Sequence, residues 1–97
     1  MGFAHIRKSI VRENVNNMRS RIREQSDFLS NMDKEINFLS EVWDSPAQKE
    51  YARSFQATKE DVMKFLDAMG RYADIIESSV DSLETIDDRL AKSLDTR

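Results

Sequence analysis

Apolar residues recur along this chain at alternating steps of four and three positions, the spacing of a helix packed lengthwise against another helix. Two such series occur, and each contains one polar residue, Gln25 or Asp87. The first consists of Val11, Val15, Met18, Ile22, Gln25, Leu29, Met32, Ile36, Leu39 and Trp43. The second consists of Val62, Leu66, Met69, Ala73, Ile76, Val80, Leu83, Asp87, Leu90 and Leu94, extended upstream by Tyr51 and Phe55. These two series, the seams, predict two long helices.

The segment between the seams has the features of a helix start. Ser45 suits an N-cap, Pro46 the first helical position and Gln48 the third, and together they form a capping box. A residue that precedes proline avoids helical backbone, so the first helix should end just before this segment. The sequence predicts one domain over residues 1–97, with helices over about 8–42 and 46–93 and a turn at Trp43, Asp44, Ser45 and Pro46.

Further apolar residues flank both seams, so each helix has a wider apolar face than a two-stranded coiled coil needs. They are Ile10, Phe28, Phe38, Val42, Phe65, Tyr72, Ile75 and Ile86. A lone hairpin leaves part of such a face in water, whereas a four-helix bundle covers it. We therefore predict an all-α antiparallel two-helix hairpin that associates as a dimeric four-helix bundle. The predicted interface residues are Val11, Val15, Met18, Ile22, Leu29, Met32, Ile36, Leu39, Tyr51, Phe55, Val62, Leu66, Met69, Ile76 and Val80.

Composition narrows the possible functions. One proline and two glycines are too few for a β-rich fold, and the absence of cysteine excludes thiol chemistry. The only histidine, His5, has no catalytic or metal-binding neighbour, and no glycine-rich phosphate loop is present. No apolar run reaches the ~20 residues of a membrane span, and residues 1–15 contain no continuous apolar stretch, so we expect no cleavable signal. The sequence predicts a non-enzyme without a metal, cofactor or small-molecule substrate.

The net charge of −3 is unevenly distributed, because residues 1–24 carry six basic and two acidic side chains. A turn near residue 45 pairs residue n with about 90 − n. This pairing predicts that the basic stretch lies beside Asp74, Glu77, Asp81 and Glu84. It also places Asp87 beyond the end of the first helix, as an exposed recognition residue. Nucleic-acid binding by the basic stretch is the less favoured alternative, since no aromatic residues interleave with the arginines.

Two further positions leave alternatives open. Gln25 is either a buried polar residue that sets the register of packing or a partly exposed site, and both interpretations are equally consistent with the sequence. Gly70 lies inside the second helix, where glycine costs ~1 kcal/mol relative to alanine. It either permits close packing or weakens the helix.

The turn residues also carry a family resemblance. Trp43-Asp44-Ser45 stands where one family has a Trp-x-Gly turn between two long helices, and Tyr51 and Phe55 match its downstream aromatic residues. Over about residues 10–90 the chain thus resembles the WXG family of about one hundred residues, the early-secreted-antigen-like substrates of type VII (ESX) secretion. The family's export signal, Tyr-x-x-x-Asp/Glu, corresponds to Leu83 and Asp87, with leucine replacing the tyrosine.

The resemblance implies a non-enzymatic type VII substrate or co-secreted partner, associated with virulence. It would be cytoplasmic before export and secreted without a cleavable signal peptide. The expected partners are a second copy or a paralogous WXG-like protein, a larger exported toxin and the secretion ATPase. Because Leu83 replaces the signal tyrosine, export is expected to depend on a partner. The alternative is a cytoplasmic helical adaptor or chaperone that binds another helical protein and is not exported.

Overall fold

The computed structural model describes residues 7–95, apart from the side chains of Glu84 and Asp95. It contains two helices, α1 over Lys8–Val42 and α2 over Pro46–Asp95, and no strand within the described range. The helices pack against each other in a rod with extents of 79 × 19 × 17 Å. The predicted all-helical fold with two packed helices is therefore confirmed. His5 and the side chain of Glu84 lie outside the described part.

The core of the hairpin is a single row of side chains between the two helices. Val15 on α1 and Ala73 on α2 are almost completely buried, at 1% and 0% exposure. Leu29, Leu66 and Val80 complete the buried apolar set. On each helix the buried residues are seven or fourteen positions apart, so they lie along one line of that helix. The two lines face each other. This row is narrow, because only two helices contribute to it.

Gly70 lies within the continuous helix α2. A Cβ atom added to Gly70 would meet nothing within 4 Å. Close packing inside the hairpin therefore does not explain the glycine, and the alternative of a weak point in the helix fits the structure.

We expect Gly70→Ala to stabilise the hairpin by about 1 kcal/mol, since alanine gains helix propensity and finds free space. The measurement is the urea midpoint followed by circular dichroism. Ala68→Gly, two positions earlier on the same helix, is the reverse control and should lower the midpoint by a similar amount. A lower midpoint for Gly70→Ala would contradict the free space around this residue.

Candidate interaction surface

The turn is closed by hydrogen bonds from Gln48, one of which sequence reasoning missed. The Gln48 backbone N–H donates to Ser45 Oγ at 3.1 Å, as the predicted N-cap requires. The Gln48 side chain does not complete the capping box. Its Nε2 donates across the turn to Ser40 Oγ at 2.6 Å, while Ser40 donates to the Ile36 carbonyl at 3.1 Å. Gln48 is 5% exposed, so this bond ties α1 to α2 in a buried position.

We expect Gln48→Ala to destabilise the hairpin by about 1–2 kcal/mol, because it removes a buried hydrogen bond and leaves space in the turn. Thermal unfolding of the variant measures this loss. Lys49→Ala is the matched control, since Lys49 is exposed. Its Nζ lies 3.8 Å from Asp44 Oδ1, and such a solvent-exposed ion pair contributes little to stability. Equal midpoints for the two variants would show that the bond to Ser40 contributes nothing.

The other turn residues present an aromatic pair to solvent. Trp43 donates its backbone N–H to the Leu39 carbonyl at 2.8 Å. The extended backbone of Trp43 itself then ends α1. The rings of Trp43 and Tyr51 lie 6.1 Å apart and are inclined by 50°. Both side chains are exposed, as are Asp44 and Pro46. The turn therefore leaves apolar aromatic area uncovered at one end of the rod.

One edge of the helix–helix contact is lined by ion pairs between α1 and α2. They are Lys8–Asp87 and Arg12–Asp81 at 2.8 Å, Arg19–Asp74 at 2.7 Å, Arg19–Glu77 at 2.8 Å and Lys59–Asp33 at 2.9 Å. The predicted pairing of the basic stretch with the acidic part of the second helix is thus confirmed for the side chains described. Hydrogen bonds first to Glu77 and then to Asp74 raise the pKa of Arg19. We name this edge the ion-paired side.

The predicted exposure of Asp87 is confirmed, but the residue is not left without a partner on the first helix. Asp87 accepts a hydrogen bond from Lys8 Nζ at 2.8 Å, although 62% of its side chain remains exposed. Helical side chains lean toward the N-terminus of their own helix, so the long Lys8 side chain reaches past its level partner toward higher-numbered residues of α2. The simple pairing rule ignored this lean.

The ion-paired side also makes the hairpin sensitive to acid at Asp33. Hydrogen bonds from Lys59 and then from Gln56 lower the pKa of Asp33. The contribution of Asp33 to stability is therefore complete above its ordinary pKa and is lost as the pH falls through the lower folded value. We expect the melting temperature to drop below about pH 4, and to drop less steeply in Asp33→Asn. Identical pH profiles would contradict this role.

The opposite edge of the contact is an open apolar groove. Met18, Arg21, Ile22 and Gln25 of α1 line it together with Leu66 and Met69 of α2. A second groove is lined by Arg19, Ile22, Arg23, Ser26, Met63, Leu66, Asp67, Gly70, Arg71 and Asp74. Ile22 and Leu66 belong to both grooves, so the grooves lie on opposite sides of the row that these two residues occupy. We name the edge with Gln25 and Met69 the open side.

Exposed aromatic and aliphatic side chains continue from the open side along the rod. All eight flanking residues predicted to widen the seams are exposed: Ile10, Phe28, Phe38, Val42, Phe65, Tyr72, Ile75 and Ile86. Phe65 and Tyr72 stand four residues before and three after Met69, and Phe28 stands seven after Arg21, so these three border the open groove. The expectation that a single hairpin leaves part of its apolar face in water is confirmed.

The exposed area of the chain is large for its mass. The surface measures 7972 Å², whereas a compact monomer of 11.3 kDa exposes about 5,700 Å². The excess, about 2,300 Å², is larger than the roughly 800 Å² that each partner buries in a standard protein–protein interface. This excess reflects the elongated rod of 79 × 19 × 17 Å, in which each helix is covered by the other along one line only.

The structure divides the predicted interface residues into three groups. Val15, Leu29, Leu66 and Val80 are buried between the chain's own helices. Val11, Met18, Ile22, Ile36, Phe55, Val62, Met69 and Ile76 are half-buried. Met32, Leu39 and Tyr51 are exposed. The polar seam residue Gln25 is exposed on the open side of the single hairpin. This agrees with the interpretation of Gln25 as an exposed site and not as a buried polar residue that sets the register.

The described residues contain few alternatives to a protein-binding surface. No group of three or more potential metal-binding side chains comes together between residues 7 and 95. Neither α1 nor α2, over its described length, has a stretch apolar enough to cross a membrane. The sequence matches no protein-family model, and no curated protein or solved structure shows significant similarity to it. The resemblance to the WXG family therefore stays a prediction.

Proposed function

We propose that this chain is a small non-enzymatic association protein, which forms a helical bundle with a second helix pair through its open side. The observation that carries the proposal is the continuous exposure of Phe28, Phe65, Tyr72 and their apolar neighbours beside a groove without acidic side chains. Exposed apolar patches of this extent on a small protein are typical of protein-binding surfaces. Ion pairs of Arg19 with Asp74 and Glu77 bridge the other edge, so the open side is the more apolar of the two.

We further propose that the bundle serves type VII secretion, as an exported substrate or as a co-secreted partner. The support is the resemblance carried by Trp43, Tyr51 and Phe55 and by the acid at Asp87. Leu83 and Asp87, the candidate export signal, are exposed on α2 and accessible to a secretion ATPase. A cytoplasmic adaptor that is not exported would use the same open side, so the two proposals differ in location and not in binding chemistry.

The mass of the purified protein tests the association. Light scattering over a range of concentrations should give twice the mass of the chain, or a complex of defined stoichiometry when a helical partner is co-expressed. A chain that stays monomeric, alone and with its genomic neighbours, would contradict the proposal.

Export is tested separately in the native host. The protein should accumulate in the culture medium without release of a cytosolic marker, and deletion of the secretion ATPase should abolish this accumulation. Retention in the cytoplasm of a secretion-competent strain would favour the adaptor.

A further inference from the structure

Nothing inside the single hairpin explains why position 70 is a glycine. The backbone of Gly70 is ordinary helix, without a positive φ. An added Cβ would meet nothing within 4 Å, so close packing does not exclude a side chain. Apart from proline, glycine is the least favourable residue in the interior of a helix. A position that breaks a local preference without a gain in the free chain is expected at a functional site.

The space beside Gly70 belongs to the groove on the ion-paired side. Leu66 is buried there, and Ile22 and Gly70 are half-buried, so these three residues form an apolar floor between α1 and α2. Met63 adds further apolar surface at the rim, where it is 40% exposed. Because position 70 has no side chain, α2 leaves a gap in this floor. We name the gap bounded by Ile22, Leu66 and Gly70 the Gly70 notch.

The charged residues of the same groove leave one cation without an acid. Three arginines and two aspartates line the groove, and both aspartates are already paired. The pairs are Asp74 with Arg19 and Asp67 with Arg71, each at 2.7 Å. The third arginine, Arg23, donates to the Ser20 hydroxyl at 3.2 Å and makes no ion pair with the residues that the structure describes. Its guanidinium group can therefore receive a carboxylate through two hydrogen bonds.

The shape of the groove indicates the kind of occupant. Its rim is exposed at Arg23, Met63, Asp67, Arg71 and Asp74. Sites for small molecules bury most of the surface of their ligand, and a groove with such an open rim does not. A helix of another protein can cover the groove from above and insert single side chains into it. The chemistry of the groove therefore fits a helical partner with an apolar residue and an acid on one face.

We propose that the Gly70 notch is a docking site for a helix of a partner protein, which presents a bulky apolar side chain with a carboxylate beside it. The apolar side chain enters the notch over Ile22 and Leu66, and the carboxylate pairs with Arg23. The site lies on the ion-paired side, so it is separate from the open side and gives the hairpin a second binding surface.

The chemistry of the notch is measurable with two small probes. Phenylbutyrate carries an aromatic ring and a carboxylate, and phenylbutylamine joins the same ring to a cation. Gly70 is one of only two glycines in the chain, so its amide signal is simple to assign in isotope-labelled protein. Phenylbutyrate should shift this signal to saturation, and the amine at equal concentration should not. Equal shifts by both probes overturn the carboxylate, and a phenylbutyrate shift confined to the open side, at Gln25, overturns the notch.

Variants of Gly70 separate binding from stability. Gly70→Ala should raise the urea midpoint and yet weaken phenylbutyrate binding at least about threefold, because its methyl group occupies the notch. Gly70→Leu should abolish the binding. Thr58→Ala also improves helix propensity, at an exposed position of α2 outside the groove, and should leave the binding unchanged. A Gly70→Ala chain that binds phenylbutyrate as tightly as the parent overturns the notch.

The role of Arg23 is tested by a matched pair of variants. Arg23→Gln should weaken phenylbutyrate binding about five- to tenfold, since it removes a charge-assisted hydrogen bond. Arg21→Gln makes the same change on the open side and should have no effect. Equal losses in the two variants overturn the assignment of the carboxylate to Arg23.

The partner helix is tested by selection on the whole chain. A phage-displayed library of single helices, selected on the parent and counter-selected on Gly70→Leu, should enrich helices with an acid beside a bulky apolar residue. No enrichment, or enrichment without acids, overturns the docking site. The Gly70→Leu chain should keep the associated mass expected from the open side, and a loss of that mass overturns the separation of the two surfaces. A parent chain that selects such helices but never associates through its open side overturns the proposed function alone.

Discussion

A Phe65→Glu chain will be a helical but monomeric protein. Phe65 is 60% exposed in the single hairpin, so the hairpin itself tolerates the charge. Beside the open groove of an assembled bundle, the carboxylate would lose its water without gaining a partner. Aromatic residues at interface centres typically contribute 2 kcal/mol or more, so we expect affinity to fall at least about thirtyfold. Sedimentation equilibrium measures the loss, and circular dichroism verifies the helix content.

The matched control is Ala57→Glu. It adds the same charge to the same helix at an exposed position that does not line the open groove, and alanine and glutamate have similar helix propensities. Ala57→Glu should associate like the parent chain. If both variants dissociated equally, the net charge of the chain and not the open side would control association.

Leu66→Ala will lower the stability of the single hairpin. Leu66 is 8% exposed and lines both grooves, so its side chain fills the space between the helices at the middle of the rod. Truncation of a buried leucine leaves a cavity and costs about 2–5 kcal/mol, a large share of the stability of a domain this small. Chemical denaturation at a fixed protein concentration measures the loss, because association and folding are linked.

Met63→Ala is the control for Leu66→Ala. Met63 stands three residues earlier and is 40% exposed, so its truncation should cost less than half as much. Comparable losses at the two positions would mean that the row through Leu66 is not the core. Because Phe65 and Leu66 are neighbours in sequence, their contrasting effects separate association from folding within a single turn of α2.

Much of the fold was predictable, because helices that pack side by side require apolar residues at regular intervals along the sequence. The alternating four-and-three steps specify helices that lie side by side, and Ser45 with Pro46 marks where the second begins. The position of Ser45 as N-cap needed no tertiary information, since Gln48 N–H lies within the same turn. The direction of the Gln48 side chain did need tertiary information, because its amide bonds to Ser40 on the other helix and not to the backbone of its own helix.

The candidate site was only half predictable. The flanking residues Phe28, Phe65 and Tyr72 indicated that each apolar face was too wide for two helices. The sequence could not specify which edge of the contact stays open, because that depends on the rotation of each helix about its axis. The ion pairs of Arg19 with Asp74 and Glu77 show which edge carries the charges, and the groove without acidic side chains lies along the other edge.

The amino-acid sequence by itself determined the all-helical hairpin, the place of its turn and the excess of apolar surface. These features depend on local capping and on periodicity, which neighbouring residues in the chain encode. Only the tertiary structure decided that Lys8 reaches Asp87, that Gln48 bonds to Ser40 and that Arg19 bridges one edge of the helix contact to Asp74 and Glu77. Those outcomes depend on the lean of side chains and on the rotation of two rigid helices, and no short stretch of sequence contains either.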